Sequence, residues 1–212
     1  LAMSLSATDY IGHRYGTFSV ETEDTYLRLD RELAFFLNYL GRKVGEAGYL
    51  FILTADHAAA HNLTFNRDHK IPGEALRSDI ARSIIDSAAR AFIGSEAKVV
   101  QAYFNYQVFF DDARLDALNI DRLALQRAIS KALKDKLPGV AYAIPAADVV
   151  NAPIPEAIKT RIINGYRKGR SGDIFVVPDP GWYSKGSAET PRGTTHGVWS
   201  PYDTHIPLIF MG

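Results

Sequence analysis

The stretch Tyr49-Leu50-Phe51-Ile52-Leu53-Thr54 is apolar without alternation, and it stands just ahead of Asp56-His57. A run of this length with no polar face suits a strand covered on both sides, as in a mostly parallel sheet with helices above and below. The helix that such a strand needs is written immediately before it. From about Glu23 to Val44, the residues Tyr26, Leu29, Leu33, Phe36, Leu37, Leu40 and Val44 recur at three- and four-residue spacing, and Gly45 and Gly48 end the pattern. Leu1 to Leu5 reads as a short strand ahead of that helix, so strand, helix and strand make a βαβ unit.

A second helix is predicted from Glu74 to Phe92, with Leu76, Ile80, Ile84, Ala88 and Phe92 four apart. After Gly94 the texture changes to one or two strands from Lys98 to Phe110, a helix from Asp121 to Leu137 and a strand from Gly139 to Ile144. Residues 95–150 therefore read as a small α+β subdomain inserted in a main α/β domain made of 1–94 and 151–212. Pro153 and Pro155 precede a short helix from Glu156 to Tyr166, and Asp173 to Val177 is a second strand of the buried type, ended by Pro178. Residues 179–204 are rich in Gly, Pro, Ser and Thr and read as loop, and His205 to Met211 as a last strand. The expected fold class is α/β: a mixed, mostly parallel sheet with helices on both faces and the inserted subdomain.

Composition narrows the function. Lys and Arg total 24, as do Asp and Glu, so the chain lacks the basic excess of a nucleic-acid binder. No apolar run approaches the roughly 18 residues of a membrane span. Cysteine is absent, which excludes disulfides and thiolate ligands, so any metal must be held by His, Asp, Glu or carbonyl oxygen. The N-terminus carries no basic and apolar segments of a signal peptide, and its opening on a strand-like run reads as a piece of something longer.

Three places put His and Asp where an open α/β sheet gathers its ligands, in loops beyond strand ends. They are Asp9-Tyr-Ile-Gly-His13, Asp56-His57 after the buried strand, and His196 within Gly193-Thr-Thr-His-Gly197. Hard oxygen and imidazole donors are the set that binds zinc where thiolates are missing. Each has a plainer reading: Asp56 as a capping residue of a turn, His196 as a loop histidine between glycines, and Asp9 with His13 as a spacing that is common in isolation. Of the other histidines, His61 reads as a satisfied polar residue, His69 as surface, and His205 as a supporting residue near the last strand.

Ser6-Ala-Thr-Asp-Tyr-Ile-Gly-His13, Thr54-Ala-Asp-His57 and Gly193-Thr-Thr-His-Gly197, in that order, resemble the alkaline phosphatase superfamily. Within it they are similar to the branch of nucleotide pyrophosphatases and phosphodiesterases. Arg170-Ser-Gly-Asp-Ile174 and Tyr202-Asp-Thr-His-Ile-Pro-Leu-Ile209 look nearest to the monomeric bacterial alkaline phosphatases with a threonine nucleophile. The resemblance covers essentially the whole chain and implies an alkaline-phosphatase-like fold with a two-zinc site. Asp9, His13 and His196 would hold one zinc; Asp56 and His57 would ligate the other.

The same resemblance places an additional Asp and the nucleophile upstream of Leu1, so the chain corresponds to the C-terminal portion of such an enzyme, with no catalytic nucleophile of its own. It implies a phosphate ester as substrate, the upstream part of the same protein as partner, and a periplasmic or secreted location. The expected activity is hydrolysis of phosphate monoesters through a covalent phosphoenzyme. The alternatives are a phosphodiesterase or nucleotide pyrophosphatase of the same superfamily, or a non-catalytic metal-binding fragment. One local departure is Ala58, where the family usually has Gly after the Asp-His pair. Ala fits there without strain only if φ is negative.

Overall fold

The computed structural model describes residues 1–184 and 193–212. In chain order its main elements are α1 (Ala7–Tyr15), α2 (Val20–Val44), β1 (Phe51–Thr54), α3 (Leu63–Asp68), β2 (Ala75–Leu76), α4 (Ser78–Ile93), β3 (Val100–Phe104), β4 (Gln107–Phe110), α5 (Asp112–Ala117), α6 (Arg122–Lys136), β5 (Val140–Pro145), α7 (Glu156–Gly165), β6 (Ile174–Pro178), β7 (Tyr183–Ser184), α8 (Pro201–Thr204) and β8 (Leu208–Met211). The part of the predicted 179–204 loop that covers 185–192 lies outside the described residues. The chain divides into two compact units, Leu1–Pro72 with Ala188–Gly212, and Gly73–Ser187.

In the first unit α1 packs on α2. The long helix starts three residues earlier than its apolar periodicity indicates, because Ser19 caps it, its hydroxyl accepting from the Thr22 N–H at 3.1 Å. Acidic Glu21 and Glu23 in the first turn and basic Arg42 and Lys43 in the last complement the helix dipole. The expected strand at Leu1–Leu5 is not formed: these residues are exposed, and the chain turns directly into α1. Without it no βαβ unit is closed here. β1 pairs instead with β8, antiparallel, Phe51 opposite Met211 and Thr54 opposite Leu208. Nor is β1 covered on both faces, since Ile52 is exposed and all four residues of β8 are exposed.

The second unit carries a four-stranded sheet in the order β3-β4-β6-β5, with every neighbouring pair antiparallel. Helices α4 and α6 pack against each other and onto the outer strands β3 and β5. Ile85, Leu125, Ile129 and Leu133 of the helices and Val108, Ile174 and Val176 of the sheet are fully buried and form its core. Asp173 pins the entry to β6: its carboxylate accepts the Phe110 N–H at 2.9 Å and Arg122 guanidinium N–H groups at 2.7 and 3.0 Å.

The unit is larger than the 95–150 insertion read from sequence. Its physical boundary moves because α4 rests on α6, and because β6 sits between β4 and β5 and cannot be assigned to another unit. The expectation of mostly parallel pairing is likewise revised for the described strands, of which β2 and β7 alone pair in parallel. An apolar run such as β6 is buried on both faces in either arrangement, so its composition does not reveal strand direction.

Candidate metal centre

All the donors singled out by sequence lie in the first unit. Asp9 and His13 stand one turn apart on α1, so both side chains project from one face, with His13 Nε2 3.4 Å from Asp9 Oδ2. Asp56 and His57 follow the end of β1, and His196 sits in the 193–198 loop. Main-chain hydrogen bonds stitch these segments together. The Thr194 N–H donates to the Gly12 carbonyl (3.2 Å), the Ala60 N–H to Thr195 (3.2 Å), and the Thr194 hydroxyl to the Ala60 carbonyl (2.5 Å). Gly193 is required where the loop meets α1. Its φ is +75°, and a Cβ there would lie 2.0 Å from the His13 carbonyl oxygen.

The result is a cluster of Asp9, His57 and His196, each with one donor atom within 4.8 Å of the others. Both His57 Nε2 and His196 Nε2 lie 3.9 Å from Asp9 Oδ1. The outer nitrogens of two histidines are already committed: His13 Nδ1–H donates to the Thr194 carbonyl at 3.0 Å and His57 Nδ1–H to the Ala58 carbonyl at 2.9 Å. In the neutral ring that tautomer leaves the Nε2 lone pair facing the carboxylate, the orientation of a metal-ligating imidazole with its second nitrogen on a carbonyl. The His57 and His196 rings stack, centroids 3.4 Å apart. Burial, and then the neighbouring His57, hold His196 below the ordinary histidine pKa, against the pull of Asp9. Two imidazole nitrogens and a carboxylate oxygen converging within 4.8 Å fit a bound divalent cation.

The grouping differs from the one the resemblance implies. His57 stands with Asp9 and His196, while His13 stands beside them, its ring 5.1 Å from that of His196. Asp56 lies at the rim, its side chain 91% exposed and 3.7 Å from His57 Nε2. Ala58 is not among the residues of positive φ, so the departure from Gly causes no strain. His61 is part-buried between Phe18 and Phe65, burial lowering its pKa; His69 stacks on Phe65; and His205 is exposed, its main-chain N–H bonded to Pro201.

Two residues that sequence reasoning passed over matter here. Thr194 links three segments, and Asp203 is a buried carboxylate whose Oδ2 accepts the Val198 N–H at 2.6 Å. Burial raises the Asp203 pKa, and the Val198 and Gly197 N–H groups pull it back down. A visible signal for Asp203 was a lone acid in the Tyr202-Asp-Thr-His segment with no Lys or Arg from Gly193 to Gly212 to pair with it.

Residues 1–203 match the family described as type I phosphodiesterase / nucleotide pyrophosphatase. Over its whole length the chain is 42% identical to the alkaline phosphatase PafA of Elizabethkingia meningoseptica, covering 38% of that protein. It is also 42% identical, over 214 residues, to the alkaline phosphatase PhoV of Synechococcus elongatus, covering 37% of it. The crystal structure of wild-type PafA superposes with a TM-score of 0.88, over 98% of this chain and 38% of that one. The chain thus spans under two fifths of the length of these relatives, and its fold is α/β and alkaline-phosphatase-like. On the match across residues 1–203 and the identity along its full length, the chain belongs to the type I phosphodiesterase / nucleotide pyrophosphatase family.

Proposed function

We propose that this chain forms the metal-holding part of a zinc-dependent phosphoric ester hydrolase, an alkaline phosphatase that cleaves phosphate monoesters through a covalent phosphoenzyme. The observation that carries the reading is the convergence of Asp9, His57 and His196, with the His57 Nδ1–H spent on a carbonyl and its Nε2 turned inward. Zinc bound there supplies positive charge that polarises a phosphoryl oxygen and lowers the pKa of an attacking oxygen. Asp9 contributes the negative charge that offsets the cation, and burial beside the stacked His57 holds His196 below the ordinary histidine pKa.

The reading retains two zinc ions, Asp9, His13 and His196 serving one and Asp56 and His57 the other. His57 is the shared boundary, lying 3.9 Å from Asp9 and 3.7 Å from Asp56. The resemblance places the nucleophile outside this chain, so the 212 residues alone are expected to bind zinc without turning over a monoester. A periplasmic or secreted location goes with this reading. Among the described residues no helix is long and apolar enough to cross a membrane.

The family description favours a second reading, a phosphodiesterase or nucleotide pyrophosphatase with the same centre. The test is the natural full-length polypeptide carrying these residues, assayed on a phosphate monoester and a diester after chelation and after zinc is restored. Zinc-restored monoester hydrolysis that is lost in His196→Ala supports the first reading. A preference for the diester selects the second, and full activity in the chelated protein rejects both.

A further inference from the structure

The geometry points to Asp203 as a positioning residue that locks the His57 and His196 loops into one arrangement. The inference rests on the metal-centre reading and extends it to a residue outside the donor set. Asp203 is 3% exposed and sits in the four-residue helix α8. A buried carboxylate is costly unless donors satisfy it. Among the described residues no Lys or Arg pairs with it. Its Oδ2 instead accepts the Val198 N–H at 2.6 Å, two residues beyond His196. Its main-chain carbonyl accepts the Ala58 N–H at 2.8 Å, one residue beyond His57.

One residue therefore grips both of the loops that carry the stacked imidazole pair, whose centroids are 3.4 Å apart. Apolar burial does not explain the choice of side chain, because an apolar residue would leave the Val198 N–H without its acceptor. Nor does helix capping, since Ser200 occupies the N-cap of α8. What Asp203 secures, with its carboxylate on one loop and its main-chain carbonyl on the other, is the spacing between two donors that come from segments 139 residues apart in sequence.

The test uses the whole 212-residue chain as wild type, Asp203→Ala and Asp203→Asn, with Asp111→Ala as control. Asp111 accepts the Arg114 N–H at the start of α5, so it reports the loss of a main-chain N–H acceptor in the unit that lacks the histidine cluster. In metal-free protein, imidazole ¹⁵N resonances of His57 and His196 are expected to move in Asp203→Ala while His69 stays, and none to move in the control. Zinc affinity is expected to fall about tenfold in Asp203→Ala. In Asp203→Asn, whose amide oxygen still accepts one N–H, the fall is within about threefold.

Unmoved His57 and His196 resonances in Asp203→Ala, or unchanged zinc affinity, overturn the inference. A wild-type chain that takes up no zinc overturns the metal reading alone, because the metal-free resonances still decide the role of Asp203. Should the Ala variant fail to fold, hydrogen exchange on the wild type decides: Val198 and Ala58 amides protected together support the lock, and a freely exchanging Val198 overturns it.

Discussion

Strands β6 and β8 are both wholly apolar, Ile-Phe-Val-Val-Pro against Leu-Ile-Phe-Met, yet every residue of the first is buried and every residue of the second exposed. The difference is in the neighbours. β6 is flanked by β4 and β5, in a sheet carrying the packed pair α4 and α6; β8 has β1 as its one strand neighbour among the described residues. An apolar run records the capacity to be buried, and topology decides whether that capacity is used. The unit with the buried strand has a core of its own. The unit with the exposed strand carries the histidine cluster, and main-chain hydrogen bonds between loops, more than apolar packing, hold that cluster together.

The comparison predicts unequal costs for equal truncations. Ile174→Ala, at a fully buried position, is expected to cost about 3 kcal/mol, and Ile209→Ala, at a half-exposed one, under about 0.5 kcal/mol. Urea unfolding of the two variants checks this, and equal costs break the comparison. Amide hydrogen exchange sharpens it further. The β6 amides are expected to exchange at least about a hundredfold more slowly than those of β8, because β6 opens only when its unit unfolds.

What was legible from sequence follows the same division. Helices α2, α4 and α6 and strands β5 and β6 were marked by apolar period and by Gly or Pro at their ends, signals that act within one element. Strand direction and the unit boundary were not marked, because they depend on which elements meet: β6 pairs with residues near 107 and 140, and nothing local to Asp173–Val177 says so. The ligand-type residues stood out by chemistry. Their grouping did not, since whether His57 faces Asp9 or Asp56 depends on loop contacts made by Thr194 and Asp203.

A loop-held site should be more sensitive to backbone change than to apolar truncation. Gly193→Ala places a Cβ against the His13 carbonyl at positive φ, and is expected to lower both stability and zinc affinity. Gly197→Ala, at φ +94° with open space around it, meets the backbone strain alone, about 1–2 kcal/mol. Thermal melts with and without zinc separate the two. Equal loss of zinc affinity in both variants would mean that the close approach at Gly193 does not shape the centre.

The smallest expected effect is on pH dependence. His196 and His61 both have pKa values lowered in the folded chain, chiefly by burial. The unfolded chain therefore binds more protons in the window just below the ordinary histidine value of about 6.5, and metal-free stability falls as pH drops through it. Replacing His196 with Gln is expected to flatten part of that acid-side loss in thermal melts between about pH 5 and 7. An unchanged slope would place the titrating burden elsewhere.

Zinc titration calorimetry on the metal-free 212-residue chain tests the central claim, that Asp9, His57 and His196 form one metal centre. Wild type is expected to bind zinc saturably. Asp9→Asn and His196→Ala are each expected to lose the tightest binding event and His57→Ala the second one, whereas Asp56→Asn, at the exposed rim, keeps the tightest. Tight binding that survives in Asp9→Asn or His196→Ala, or two undiminished binding events in His57→Ala, would contradict the account.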